Sequence, residues 1–89
     1  MRVISKKTGG EFWESHPNAQ PGLLLWYQRL CDLELQNFND VRQIFSSADL
    51  VGNFIVFNIA GNNYKLITYL DYEYQIIFIH AVLTHAEYN

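Results

Sequence analysis

Apolar positions change their period once along this chain. Through residue 46 they recur at helical spacing after a short opening strand, Arg2 to Ile4, whereas from residue 50 to 83 they alternate or run on as strands do. Thr8 and Glu11 form a Thr-x-x-Glu capping box that predicts the start of a first helix. Gly9 and Gly10 weaken its first turn by up to ~1 kcal/mol each relative to Ala, and Pro17 ends it by disfavouring helical geometry at His16. Asn18 is the expected N-cap of a second helix, whose first turn tolerates Pro21. Leu23, Trp26, Tyr27 and Leu30 fall at i, i+3, i+4 and i+7, one apolar stripe for a sheet. Asn39 is the expected cap of a third, shorter helix reaching Ile44 or Phe45.

Beyond Gly52, the run Phe54-Ile55-Val56-Phe57-Asn58-Ile59 is β-branched and aromatic, and Ala60-Gly61-Asn62-Asn63 has the Gly and Asn of a tight hairpin turn. Tyr64 to Leu70 is the return strand. Tyr74 to Val82 is apolar enough to predict a central strand buried on both faces. These elements predict an α+β domain. An antiparallel sheet, made of the N-terminal strand and a C-terminal three-stranded meander, packs against two or three N-terminal helices.

Composition sharpens this picture. Eighty-nine residues leave room for one domain, 1–89, and a chain of that size buries only about 60% or a little more of its unfolded surface. The 49% hydrophobic and 16% aromatic content supplies the dense packing such a small core requires. Cys31 is the single cysteine, so an intramolecular disulfide is impossible and a thiolate zinc site lacks its second sulfur. The opening Met1 to Lys7 has no apolar signal segment, and no later run approaches the ~18 residues of a membrane span. A cytoplasmic protein with no membrane association is expected.

Charge argues the other way from nucleic acid at first sight. Six Lys and Arg against nine Asp and Glu give −3, the wrong sign for binding RNA by bulk charge, although a phosphate groove responds to local potential. Arg2, Lys6 and Lys7 form the one local basic cluster. They are candidates for gripping an RNA backbone, and a solvated helix start explains them equally well. Patterns for zinc, for a serine nucleophile and for a phosphate loop are missing, so neither a metal nor a cofactor is expected.

Several stretches resemble the HigB family of toxins. They are Met1 to Ser5, Glu11 to Pro17, Trp26-Tyr27, Phe45 to Asp49, Val56-Phe57-Asn58-Ile59-Ala60-Gly61-Asn62-Asn63-Tyr64-Lys65-Leu66, Tyr72 to Ile79 and Thr84-His85-Ala86-Glu87-Tyr88. The likeness covers nearly the whole chain in order, and the Val-Phe-Asn-Ile-x-Gly-Asn-x-Tyr run with the terminal Thr-His-Ala-Glu-Tyr is its most specific part. It implies a RelE-like fold and a toxin of a type II toxin–antitoxin system. It also implies messenger RNA cleavage, often on the translating ribosome, and a HigA-like helix-turn-helix antitoxin as partner. The chain departs from the family where Lys65 and His80 stand at positions typically Arg, and where Asn89 replaces an Asp followed by a basic tail. Those departures favour an alternative reading, a degenerate toxin that binds its antitoxin and no longer cuts RNA.

RNA cleavage without a metal uses the substrate's own 2′-OH as nucleophile on the adjacent phosphorus. The enzyme must supply a base, an acid, and positive charge or hydrogen-bond donors for the phosphoryl oxygens. His85 is the first candidate for acid or base, since an imidazole titrates near neutral pH, and Tyr88 lies one turn away to orient the substrate. Thr84 and Glu87 form a capping box of their own, so His85 is equally readable as a solvated first-turn residue. Lys65 and His80 are candidates for phosphate charge if strand register puts them on one face. A solvent-facing lysine and a packed strand histidine are the plain alternatives. Tyr64, Tyr69 and Tyr88 are candidates for stacking on bases, and Asn63 for RNA contact, although Asn62 and Asn63 are also ordinary turn residues that tolerate positive φ.

Overall fold

A computed structural model of the protein describes residues 1–5 and 16–88. The helix expected from Thr8 and the lysines Lys6 and Lys7 lie outside the described residues. In chain order the elements are β1 (Arg2–Ser5), a 3-10 turn (Pro17–Ala19), α1 (Gln20–Cys31), α2 (Phe38–Ile44), β2 (Asp49–Val51), β3 (Phe54–Ile59), β4 (Tyr64–Asp71), β5 (Ile76–Thr84) and α3 (His85–Tyr88). The architecture is α+β, as the pattern predicts.

The sheet has five strands in the order β1-β5-β4-β3-β2. The meander β3-β4-β5 is antiparallel, but β1 runs parallel to β5, with Arg2 opposite Ile76 and Ser5 opposite Ile79. The sheet is therefore mixed. A parallel pair needs a long crossover connection, and here everything between β1 and β5 supplies it. The extra strand β2 pairs with β3 across a turn at Gly52, where φ is 60°. Glycine adopts that angle without the steric cost a Cβ imposes.

Alternation along the strands gives the sheet two unlike faces. Ile55, Phe57, Ile59, Leu66, Leu70 and Ile77 point to one side and join the main core with Leu23, Trp26 and Leu30 of α1 and Val41 of α2. Trp26 meets Phe57 edge-on with ring centroids 5.5 Å apart, and Phe45 meets the same ring at 5.1 Å. Thr68, fully buried on this side, has its hydroxyl satisfied by donating to the Ile55 carbonyl at 2.8 Å. Tyr27 departs from the expected stripe and stays 46% exposed. Gly22 fixes how closely α1 approaches the sheet, because a Cβ there would sit 2.9 Å from the Ala60 nitrogen and from Ile59 Cγ2.

Two helix starts differ from expectation. Asn18 sits inside the 3-10 turn, and α1 begins behind Ala19 with no side-chain cap. Asn37, rather than Asn39, caps α2: its Oδ1 accepts from the Asp40 N–H at 3.0 Å, while the Asp40 carboxylate accepts from the Gln36 N–H at 2.9 Å. The Asn-x-x-Asp spacing makes both bonds possible at once.

The last strand is shifted from its expected span and only Ile77 in it is fully buried. Tyr74 and Gln75 belong instead to the turn before it, where Gln75 has φ 55°. Its side chain accepts from Leu35 N–H at 2.9 Å and donates to the Leu35 and Tyr72 carbonyls, both at 2.6 Å. The opposite face of β5 is not covered by α1 or α2, and the strand is internal to the sheet without being buried on both sides.

Candidate functional site

The β3–β4 hairpin turns at Ala60 and Gly61, which hold φ 53° and 69°. Asn62 and Asn63 are thus not the positive-φ residues of this turn, and Asn62 does something else. Its Oδ1 accepts from Lys65 Nζ at 2.5 Å, and Asn58 Oδ1 accepts from the same ammonium at 2.5 Å. Asn58 and Lys65 are direct cross-strand partners, so they share a sheet face by register. Both bonds go to neutral amide oxygens. Among the described residues Lys65 forms no ion pair, and its positive charge is anchored without being cancelled.

The C-terminal end of β5 is brought beside this cation. Thr84 pairs with Tyr64 and Leu83 with Lys65, and the His85 N–H donates to the Asn63 carbonyl at 2.9 Å, which starts α3 at the hairpin turn. The predicted Thr84/Glu87 capping box forms: Thr84 N–H donates to Glu87 Oε1 at 2.8 Å, and Glu87 N–H donates to Thr84 Oγ1 at 3.1 Å. That fold-back places the Tyr88 ring 5.7 Å from Lys65 Nζ, a cation–π distance. His85 and Tyr88 are three residues apart on one helical turn and so lie side by side.

Glu87 looks toward the covered side. Its carboxyl titrates below the usual carboxylate range, chiefly because the Thr84 backbone N–H and then the Thr84 hydroxyl bond the charged form, with nearby His16 adding to the effect. His16 Nε2 is 4.0 Å from Glu87 Oε1, and its ring meets Tyr64 edge-on at 5.7 Å. Tyr64 accordingly packs beneath the sheet, on the side of the core.

His80 lies elsewhere on the Lys65 face. Ile67 pairs with Ala81 and Thr68 with Ile79, leaving His80 as the extra residue of a β-bulge. Its ring sits 5.0 Å from Phe54, three positions before the Leu83 that faces Lys65, or about 10 Å along the strand. Arg2 is exposed at the far end of the sheet, opposite Ile76. The structure therefore brings together Lys65, Tyr88 and the start of α3 with His85, and holds His80 and Arg2 apart from them.

Asn58 and Asn62 complete the constellation around Lys65, while His16 and Glu87 pair on the covered side; the roles of Asn58, Asn62 and His16 are not evident from the sequence pattern. Asn58 left a signal, since it is the one polar residue in an otherwise apolar strand run. His16 left none, because its partner is contributed by the other end of the chain.

Comparison with known proteins agrees with this frame. The chain aligns over its full length with an mRNA interferase HigB from Escherichia coli O6:H1, 25% identical over 92 residues and covering 89% of that relative. A family of RelE-like toxic components of toxin–antitoxin systems matches residues 19–89, which include every element from the end of the 3-10 turn onward. With that match spanning most of the sequence, the chain belongs to the HigB toxin family.

Proposed function

We propose that this toxin is an endoribonuclease that cuts messenger RNA at the end of the sheet where β4, β5 and α3 meet. The carrying observation is the Lys65 ammonium, held by Asn58 and Asn62 at 2.5 Å each and facing Tyr88. Two of its three N–H groups are used by the amides, which leaves one for a phosphate oxygen. In the reaction the substrate 2′-oxygen bonds to phosphorus as the P–O5′ bond breaks, giving a 2′,3′-cyclic phosphate and a 5′-hydroxyl. His85 takes the proton that leaves the 2′-OH or gives the one that reaches the 5′-oxygen, a role typically worth ~10²- to 10⁴-fold, and solvent water carries the other proton. Lys65 offsets the charge that grows on the phosphoryl oxygens. Tyr88 orients the nucleotide against them.

The reading includes the translating ribosome as the place where messenger RNA is met, and a helix-turn-helix antitoxin as the silencing partner. Expression should arrest growth, and co-expression of the adjacent antitoxin should relieve it. Purified protein added to translating ribosomes should yield mapped cuts that disappear with His85→Ala in a folded protein; undiminished cutting by that variant rejects His85 as acid or base. Two observations favour a second reading, a toxin that binds its antitoxin without cutting. His80, a candidate second cation, packs on Phe54 about 10 Å along the strand from the residue that faces Lys65, and the chain carries −3 overall. Intact transcripts in the ribosome assay would establish that reading over the first.

A further inference from the structure

The sheet face that carries Lys65 also carries a group of rings that the cleavage step does not use. Lys65, Ile67 and Tyr69 alternate onto that face along β4, and Tyr69 pairs across the strands with Phe78, which pairs in turn with Ile4. Phe54, on the strand beyond β4, contacts His80. Phe54, Tyr69 and Phe78 are 37%, 46% and 38% exposed, which gathers three part-exposed rings on one sheet face. A shallow pocket of about 220 Å³ opens among Ile4, Tyr69, Phe78, Ile79 and His80.

We infer that this face holds an unpaired RNA base a dinucleotide's span away from the scissile phosphate, laid on the rings of Tyr69 and Phe78 and bordered by His80. The inference rests on the nuclease reading and gives its site a substrate-recognition surface. Tyr69 and Phe78 are 6.4 Å apart and tilted 40° to one another, so they do not cover each other's faces, and those faces are what a base stacks on. Tyr69 is four residues from Lys65, about 13 Å along the strand, a span that an extended dinucleotide covers. The β3, β4 and β5 backbones are already paired to neighbours, so the face has no free ladder to bind an extended peptide by strand addition. The pocket is also smaller than the ~300–1,000 Å³ typical of drug-sized ligand sites. It suits one planar base.

The test uses the full chain and a short 2′-O-methyl RNA that cannot be cleaved, either intact or with one abasic position moved along it. Intact RNA should bind more tightly than the RNA made abasic at one register. Tyr69→Ala and Phe78→Ala should each weaken the intact RNA about 5- to 100-fold while leaving the abasic RNA unchanged, and Tyr69→Phe should restore binding. Both side chains are exposed, so circular dichroism should report an unaltered fold. Equal affinity for intact and abasic RNA at every register, or no binding by the parent chain, overturns the inference. So does a Tyr69→Ala or Phe78→Ala variant that binds RNA normally and loses a protein partner. If Lys65→Ala abolishes cleavage on ribosomes while Tyr69→Ala and Phe78→Ala leave RNA affinity unchanged, the base platform fails and the nuclease stands. If the abasic signature appears and transcripts stay whole, the nuclease fails and the platform stands.

Discussion

Substituting Asn58 separates the position of the Lys65 ammonium from its charge. Asn58 contributes one of the two amide oxygens that hold Nζ. Hydrogen bonds to charged groups contribute ~1.5–3 kcal/mol, and this half-buried pair belongs at or below the low end, so Asn58→Ala should destabilise the fold by about 1 kcal/mol. A freed lysine regains part of its ~2 kcal/mol of rotamer entropy, which RNA must then remove again. If about half returns, cleavage falls roughly 5- to 10-fold. Asn58→Asp should behave differently, keeping Lys65 in place by an ion pair and retaining stability. The new carboxylate would oppose a phosphate anion, with unit charges at 4 Å interacting by about 4 kcal/mol at an effective dielectric constant of 20. Solvent and salt reduce that figure, and a loss of at least ~10-fold in cleavage should remain. The assay is cleavage of a defined transcript on translating ribosomes, with urea unfolding of each variant alongside and a double-mutant cycle with Lys65→Met. Coupling between Asn58 and Lys65 of about 1 kcal/mol is expected. Additive effects, or Asn58→Asp cutting as fast as the parent, would refute the claim that an anchored, uncancelled cation drives the reaction.

Other consequences follow from the packing around this site. Gly22→Ala should cost about 1–3 kcal/mol, because its Cβ would meet backbone at Ala60 that cannot swing aside, and thermal unfolding should report a lower midpoint. Gln75→Ala should cost about 2 kcal/mol through its three hydrogen bonds to backbone, visible as a reduced urea midpoint with an unchanged slope. The Glu87 carboxyl has its folded pKa depressed by Thr84. Its contribution to α3 is therefore present above the ordinary carboxylate pKa and lost as pH falls through the lower folded value. The Thr84 amide resonance should shift in that acid range, and Glu87→Gln should remove the transition.

Local patterns along this chain determined several of its elements. The Thr84/Glu87 box, the Ala60–Asn63 hairpin, the buried stripe of α1 and the two strands around the hairpin depend on neighbours within a few residues, where spacing and side-chain chemistry suffice. No alternation pointed to β2, because a three-residue strand is too short for it to show. Tertiary structure alone decided that β1 runs parallel to β5, that α1 and α2 leave one face of β5 uncovered, and that a bulge sets His80 against Phe54 at a distance from Lys65. It also decided that Asn62 serves Lys65 instead of the turn angle, and that His16 meets Glu87 from across the chain. Each of these depends on which distant strand pairs with which and in what register, and a shift of one position moves every side chain to the other face.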